Sequence, residues 1–571
     1  MKINNIKIAA LGVIALGTLS SCGDDWMDVA SKTESDSNNF YKSQEDGLRS
    51  LYACYDGWQR TVSGGPAEDP SIDFTVYQLT ETMSDECFGG TGNTDPRNTQ
   101  ILDRFDLTQA PSYTDLNNGL WTAYYKAIFR CNEFIDKAEG ITWDDENAKK
   151  TYLGETHALR ALCYFDMVRL WENIPLLEHA TEKIVPQAAP DSVYALVISD
   201  LKYAIENIPA NAYPKKDAAT NDGHVTKYGA EAILARTYLY YSGYYGKEPD
   251  ALGLTKADAL AACEDIINSN EFKLVPRFKD LWPASSDDKS GGYVGLWAHE
   301  NSSWAGAGNS ETVLSMKFNY TQDYNDNADG NLFQKMVGMR TGKCAYDRYG
   351  QGWGGCTVTP EAASAYSTGD TRRSASIIDA SQLAGYEDNY IADQREYTGY
   401  FTKKYTPLSK HAAAGDGTIL HYTEGVGVDF QISQFQDWVL VRYADVLLMA
   451  AELGSPNAQT YFDEVRKRAY TEDDGKTVSG NYSQQTASKE NILKERKLEF
   501  AFEGIRYWDE LRQGLEHAAN EIAGSWSVKD GGANATVSID AQNIINKRGL
   551  IQIPNTQITL SNGLLKQNPG W

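Results

Sequence analysis

Flat aromatic side chains, with amides and one guanidinium among them, are concentrated in one stretch of this sequence. Trp297, Trp304, Tyr320, Tyr324, Tyr349 and Trp353 are interleaved with Asn301, Asn319, Asn325, Asn327 and Arg348. A shorter grouping is Glu86-Cys87-Phe88-Gly89-Gly90-Thr91-Gly92-Asn93, where glycines let the backbone bend beside a ring and an amide. Rings supply apolar contact with one wet edge, and amides fix the orientation of a bound polar group. A sugar ring, with an apolar C–H face and a rim of hydroxyls, needs both.

Other chemistries are less well supplied. Asn325-Asp326-Asn327-Ala328-Asp329-Gly330 imitates the start of a calcium loop, but Met336 stands twelfth, where a bidentate glutamate is needed. A solvated turn is the expected reading there; structural calcium stays open and no cofactor is expected. The seven histidines (His157, His179, His224, His299, His411, His421 and His517) are scattered, with no His-Glu-x-x-His, and no Gly-x-Ser-x-Gly occurs. A glycosidase needs only two carboxylates about 5 to 9.5 Å apart, and 78 acidic residues leave room for such a pair. Glycoside hydrolysis therefore stands as an alternative, behind the expectation of binding without catalysis.

The start of the chain gives the location. Lys2 and Lys7 precede an apolar run from Ile8 to Leu19, and Leu19-Ser20-Ser21-Cys22 closes it with small residues before a cysteine. The run is shorter than the about 20 residues that a spanning helix needs, so residues 1–21 read as a cleaved signal. The ending looks like a bacterial lipobox, in which Cys22 is acylated and tethers the mature protein to a membrane. The net charge is −25 at pH 7, and losing a signal with two lysines leaves the remainder more acidic. Such a surface repels phosphate, so nucleic acid is an unsuitable partner. Of the remaining cysteines only Cys344 and Cys356 flank one loop and could pair; Cys54, Cys131, Cys163 and Cys263 lie in apolar helical segments as small hydrophobes.

The elements that must position the rings are mostly helical. Val193, Val197, Leu201, Ala204 and Ile208 form one apolar helix face, with Asp191 expected at the N-cap and Pro209 after the end. Comparable helices are expected near 117–138, 150–171, 226–243, 256–269, 438–452, 458–469 and 488–513, in antiparallel pairs. Between about 275 and 435 helical period gives way to Gly, Ser, Asn, Asp and aromatics, with Thr312 to Phe318 short enough for one strand. The expected organisation is a signal (1–21), a tether (22–39), a helical region (40–275), a loop-rich ligand-binding region (276–435) and a second helical region (436–571). Arg442 with Asp445, and Glu499, Glu503 and Arg506, stand at helical spacing and are expected to pair charges locally as structural groups.

Taken in order, these blocks resemble the SusD/RagB family of nutrient-binding outer-membrane lipoproteins. They are Trp121 to Ile135 (WTAYYKAIFRCNEFI), Gly154 to Pro175 (GETHALRALCYFDMVRLWENIP), Val193 to Pro209, Gly223 to Tyr240 and Asn309 to Phe318 (NSETVLSMKF). Gly352 to Pro360 (GWGGCTVTP), Arg442 to Glu452 (RYADVLLMAAE), Glu495 to Arg512 (ERKLEFAFEGIRYWDELR) and the ending Gln567-Asn568-Pro569-Gly570-Trp571 follow. The resemblance implies a mainly α, tetratricopeptide-like scaffold with a large loop-rich insertion. It implies a lipid-anchored protein on the outer membrane's outer face, with Gly23-Asp24-Asp25 after Cys22 similar to the family's surface-display stretch. It implies capture of an oligosaccharide or polysaccharide, or of peptide as in the RagB branch, for a SusC-like TonB-dependent transporter. By position in the family, the ligand-binding residues would be Phe88, Asn93, Trp297, Trp304, Tyr324 and Trp353.

Overall fold

Side-chain caps start the helices of this chain, and small residues let them touch. The computed structural model describes residues 40–63, 74–217, 223–287, 302–318, 330–340, 349–383, 392–411, 419–421, 434 and 436–571. The nine longest helices among them are α1 (Gln44–Ser63), α2 (Asn118–Lys137), α3 (Glu146–Trp171), α4 (Pro190–Asn207), α5 (Lys227–Tyr245), α6 (Lys256–Asn268), α7 (Tyr443–Glu452), α8 (Ala458–Ala469) and α9 (Lys489–Glu499). Asp145 caps α3, Thr226 caps α5, and Thr255 with Asp258 forms a reciprocal capping box on α6. Each helix from α1 to α7 packs on the next, and α7 also packs on α8 and α9. Pairing is antiparallel: Arg130 of α2 donates to the Ala53 carbonyl, while Gly57 lies against Ala127. Gly154 likewise lets α3 close on Ile208, just past α4. The result is the expected mainly α stack, with one apolar core running from Leu51 to Leu565.

Three local expectations are corrected. Asp191 is not the cap of α4: Ala189 holds that position, and Asp191 instead accepts from Tyr241 and Lys247. The segment 438–452 divides into a strand, Trp438–Arg442, and α7, because the strand pairs with Thr312–Met316. The segment 488–513 breaks after Glu499, where Phe502 and Gly504 take positive φ of 64° and 71° before a short helix resumes at Arg506. Glu499, Glu503 and Arg506 therefore do not share one continuous helix face.

Their charges are satisfied over long range. Arg442 meets Glu311 at 2.5 Å, Glu499 at 2.9 Å and Glu503 at 2.8 Å, and Arg468 joins Glu311 and Glu499. Arg372 bonds Asp370, Glu495 and Glu499, Arg466 bonds Glu495, and Lys404 bonds Glu503. Five cations thus meet five carboxylates inside the fold. Burial alone would raise the Glu499 carboxyl, but the Arg468, Arg442 and Arg372 guanidiniums hold it down to about 2. Asp445 does not pair with Arg442 either; it takes Arg236 and Arg496.

The loop-rich part adds small sheets to this stack. Strands Cys87–Gly90, Gly355–Val358, Tyr400–Thr402 and Ile377–Asp379 form an antiparallel sheet in that spatial order. Beneath it Ala284, Met339, Tyr349, Ile378, Tyr397, Phe401 and Leu408 make a second, smaller apolar cluster. A hairpin, Gly524–Asp530 with Ala533–Ile539, reaches the same place: Lys529 bridges to Tyr397. Cys356 is a buried free thiol beside the Thr82 hydroxyl, and Cys344, its suggested partner, lies outside the described residues.

Two outcomes test this account. Replacing Arg442 by Met strands the carboxylates it joins, and urea denaturation should show a loss of about 3–5 kcal/mol; a loss below about 1 kcal/mol, typical of a surface change, would contradict the network. Glu231 on α5 is buried beside Asp265 of α6, and burial, then that carboxylate, raises its pKa to about 8 although Lys227 opposes the shift. A raised pKa means stability present below the unfolded value, about 4.5, and lost as pH rises through about 8. Thermal melts should therefore show Glu231→Gln gaining on the wild type between pH 5 and pH 8.5; a pH-independent difference would refute the assignment.

Candidate functional site

The strand Cys87–Gly90 runs into a loop whose backbone is tied at every step. Gly89 N–H donates to Asp103 at 2.8 Å, Gly90 N–H to Glu396 at 2.9 Å, and Thr91 N–H to the Gly354 carbonyl at 2.8 Å. Gly92 N–H donates to Asp95 and Asn93 N–H to the Asp393 carbonyl, both at 2.9 Å. From the other side the buried Arg395 guanidinium donates to the carbonyls of Asn93 (2.9 Å), Asp95 (2.7 Å) and Pro96 (3.2 Å). Gly90 has φ +67°, and a Cβ there would lie 2.4 Å from the Gly354 oxygen, so only glycine fits. Asn93, Thr94, Pro96 and Arg97 are the exposed residues of this tied loop, and Asn93 carries its exposed amide.

Trp353 is brought to the same end of the sheet. Gly352 and Gly338 touch backbone to backbone, since a Cβ on Gly352 would meet the Gly338 Cα at 2.3 Å. Trp353 N–H donates to the Lys335 carbonyl at 3.0 Å, and the Lys335 ammonium sits 4.8 Å from the Trp353 ring centroid. Two side chains join the loops. Arg340 donates to Asp95 at 2.6 Å, to Asp393 at 3.0 Å and to the Trp353 carbonyl at 3.4 Å. Gln394 donates to the carbonyls of Thr91 and Gly354 at 3.1 and 2.9 Å. The Trp353 ring is half-buried.

The other expected residues divide. Phe88 is corrected as a platform: it is 1 % exposed and packs edge-on against Trp526 at 5.2 Å, so it supports the loop from below and has no free face. Glu86 of the same grouping is structural too, accepting the Phe502 N–H, and burial followed by Asp85 raises its pKa to about 8. Trp304, half-buried, belongs to a separate loop whose bonds run through Ser303 and Ala305 to Asp280. Trp297 and Tyr324 lie outside the described residues, as do Cys22, residues 22–39 and the sequence Asn325 to Asp329. Arg340, Gln394, Arg395 and Trp526 were not anticipated. Nothing local marks them, because Arg395 stands 302 residues from the carbonyl of Asn93.

Each carboxylate tied into the site shares a guanidinium with another. Arg104 bridges Asp103 and Glu396, and burial, then Glu396, raises the Asp103 carboxyl to about 7. Asp95 and Asp393 share Arg340. Among the described residues no three His, Cys, Asp or Glu side chains are grouped to hold a metal ion. An exposed amide and a half-buried indole carried on tied neighbouring loops can hold a ligand by stacking and directional hydrogen bonds.

Comparison with known proteins agrees with this architecture. Residues 310–571 match the model described as SusD family, and residues 76–239 match one described as starch-binding associating with outer membrane. SusD-like protein P38 of Formosa agariphila is 25% identical over 541 residues, covering 90% of this chain and 92% of that protein. A SusD-like protein of Bacteroides ovatus is 23% identical over 425 residues, 71% of this chain and 67% of its own. Among solved structures, surface glycan-binding protein A from Bacteroides thetaiotaomicron in complex with laminarihexaose superposes with a TM-score of 0.69 at 22% identity. That match covers 92% of this chain and all of the other, 100%. The equivalent protein from Bacteroides fluxus also gives 0.69, at 23% identity, covering 93% and 100%.

The ties of the Asn93 loop predict its dynamics. In Arg395→Ala the amides of Thr91 to Asp95 should exchange hydrogen at least about tenfold faster, the loss of a charge-assisted bond of roughly 1.5 kcal/mol or more. Unchanged exchange would show that the loop does not depend on the guanidinium.

Proposed function

We propose, from the premise that this chain belongs to the SusD/RagB family, that it captures oligosaccharide or polysaccharide at the cell surface without turning it over. The observation that carries the reading is that Arg340 and Gln394 tie the loop bearing Asn93 to the segment bearing Trp353 at one end of the sheet. An indole stacks on the C–H face of a sugar and a fixed amide reads its hydroxyls. Trp304, Trp297 and Tyr324 are proposed as further rings along the same glycan.

The similar proteins support this ligand class, since the names of two neighbours state glycan binding and one holds laminarihexaose. The proposal extends to the setting. Cys22 carries lipid that keeps the body on the outer membrane's outer face, and a SusC-like TonB-dependent transporter receives the captured glycan. The tether raises the local concentration of captured ligand at the transporter, which offsets modest affinity.

Calorimetric titration with laminarihexaose, maltohexaose and a mixed peptide library tests the reading. Heat is expected with at least one hexasaccharide, and Trp353→Ala should weaken it about tenfold, or 1.4 kcal/mol. Heat with peptides alone, or new reducing ends released from a glycan, would replace the reading with peptide capture or hydrolysis.

A further inference from the structure

A second group of rings lies on the helical scaffold, on elements that contribute nothing to the Asn93 loop. Tyr52 of α1, at 53 % exposure, is the most exposed aromatic residue among the described residues. Tyr52 stands one turn before Tyr55 on α1 and Tyr152 one turn before Glu155 on α3, and the hydroxyls of both Tyr55 and Tyr213 meet Glu155, so helical spacing brings Tyr52 and Tyr152 alongside the Tyr213 loop. Trp143 extends the group, 6.1 Å from Tyr152 between centroids.

Tyr213 is held as a flat plate. Its ring lies parallel to the His224 imidazole, 4.0 Å away with 9° between the planes. Glu155, whose side chain has no exposed surface, accepts from the Tyr213 hydroxyl at 2.6 Å and the Tyr55 hydroxyl at 2.5 Å, and its 2.8 Å bond to His224 fixes the imidazole. Tyr55 in turn accepts the Val225 N–H at 2.6 Å and sets its ring edge-on to His224. A ring tied at its hydroxyl and backed by a second ring loses little freedom when something stacks on it. Beside it a concavity is lined by Tyr213, Lys215, His224, Tyr228, Glu271 and Phe272. Tyr228 and Phe272 meet edge to face at 5.7 Å there.

We infer that Tyr52 and Tyr213 form a second carbohydrate-stacking platform, with the polar groups of the adjoining concavity reading sugar hydroxyls. The ligand is a glycan chain, because flat rings interleaved with hydroxyl, amine and carboxylate groups offer apolar faces and hydroxyl partners together. The inference rests on the glycan-capture reading. A polymer that engages both platforms gains avidity that a short oligosaccharide does not.

Affinity electrophoresis through gels of laminarin and of starch tests it on the whole protein. Trp353→Ala should retain part of the wild-type retardation in one of the gels, and adding Tyr213→Ala or Tyr52→Ala should abolish that remainder. Tyr213→Phe, which keeps the ring, should preserve it. Complete loss in Trp353→Ala alone, or a remainder unmoved by both tyrosine variants, overturns the second platform and leaves the first standing. A wild type retarded by neither gel overturns both. Tyr52 is exposed, so its variant keeps the test decisive where Tyr213→Ala unfolds.

Discussion

Three guanidinium groups from separate stretches of the chain converge on Glu499, which has no solvent access. Arg372 arrives from the loop-rich part, Arg442 from the strand before α7 and Arg468 from the end of α8. Removing charges from water is costly, and such a knot holds only when every partner is in place. It therefore rewards one arrangement of helices and insertion and penalises misassembled ones. Because Lys404 of the insertion also reaches Glu503, the loop-rich part is sewn to the scaffold.

That attachment explains how loops can carry a precise site. Loops on a rigid base are usual places for recognition, but their aim depends on support beneath them. Here Trp526 packs against Phe88 of the strand, Arg395 holds the carbonyls of the Asn93 loop, and the hairpin turn at Gly531 lies against Asn93 itself. The Glu503–Gly504–Ile505–Arg506 turn is held in the same way. Gly504 N–H donates to buried Glu81, and Arg506 pairs with Asp85. The blocks that carry the family resemblance are thus mostly anchors, and the candidate ligand residues Asn93 and Trp353 sit further toward solvent.

The helices were largely legible because apolar period and caps are local: α2, α3, α5, α6 and α8 fall close to their expected ranges. The exceptions have physical causes. The apolar run at 438–452 contains a strand because Thr312–Met316 lies beside it, and no window of sequence shows that partner. Charges at helical spacing, such as Arg442 with Asp445, suggested local pairs, whereas burial sends each to a distant partner. For the candidate site, the structure leaves Asn93 exposed and Trp353 half-buried, the amide and the ring that stand among glycines in the sequence. Phe88 was misread because ring type says nothing of which face of a buried strand it takes, and Arg395 and Arg340 were missed because their partners lie far along the chain.

Charge, the property most easily counted in a sequence, says least about the ligand here. The chain carries −25 overall, yet at the site Asp95 and Asp393 are spent on Arg340, Asp103 and Glu396 on Arg104, and the Lys335 ammonium lies over Trp353. Around the candidate pair Asn93 and Trp353 the carboxylates are shared with guanidiniums, although Asp393 and Arg97 keep about half of their side-chain surface exposed, 52% and 48%. Under the proposed reading, recognition would rest on shape, stacking and hydroxyl geometry rather than on ionic pairing. The acidic surface elsewhere deters polyanions. Under that reading, selectivity among sugars would come from the spacing of rings, which the fold sets and residue counts do not record.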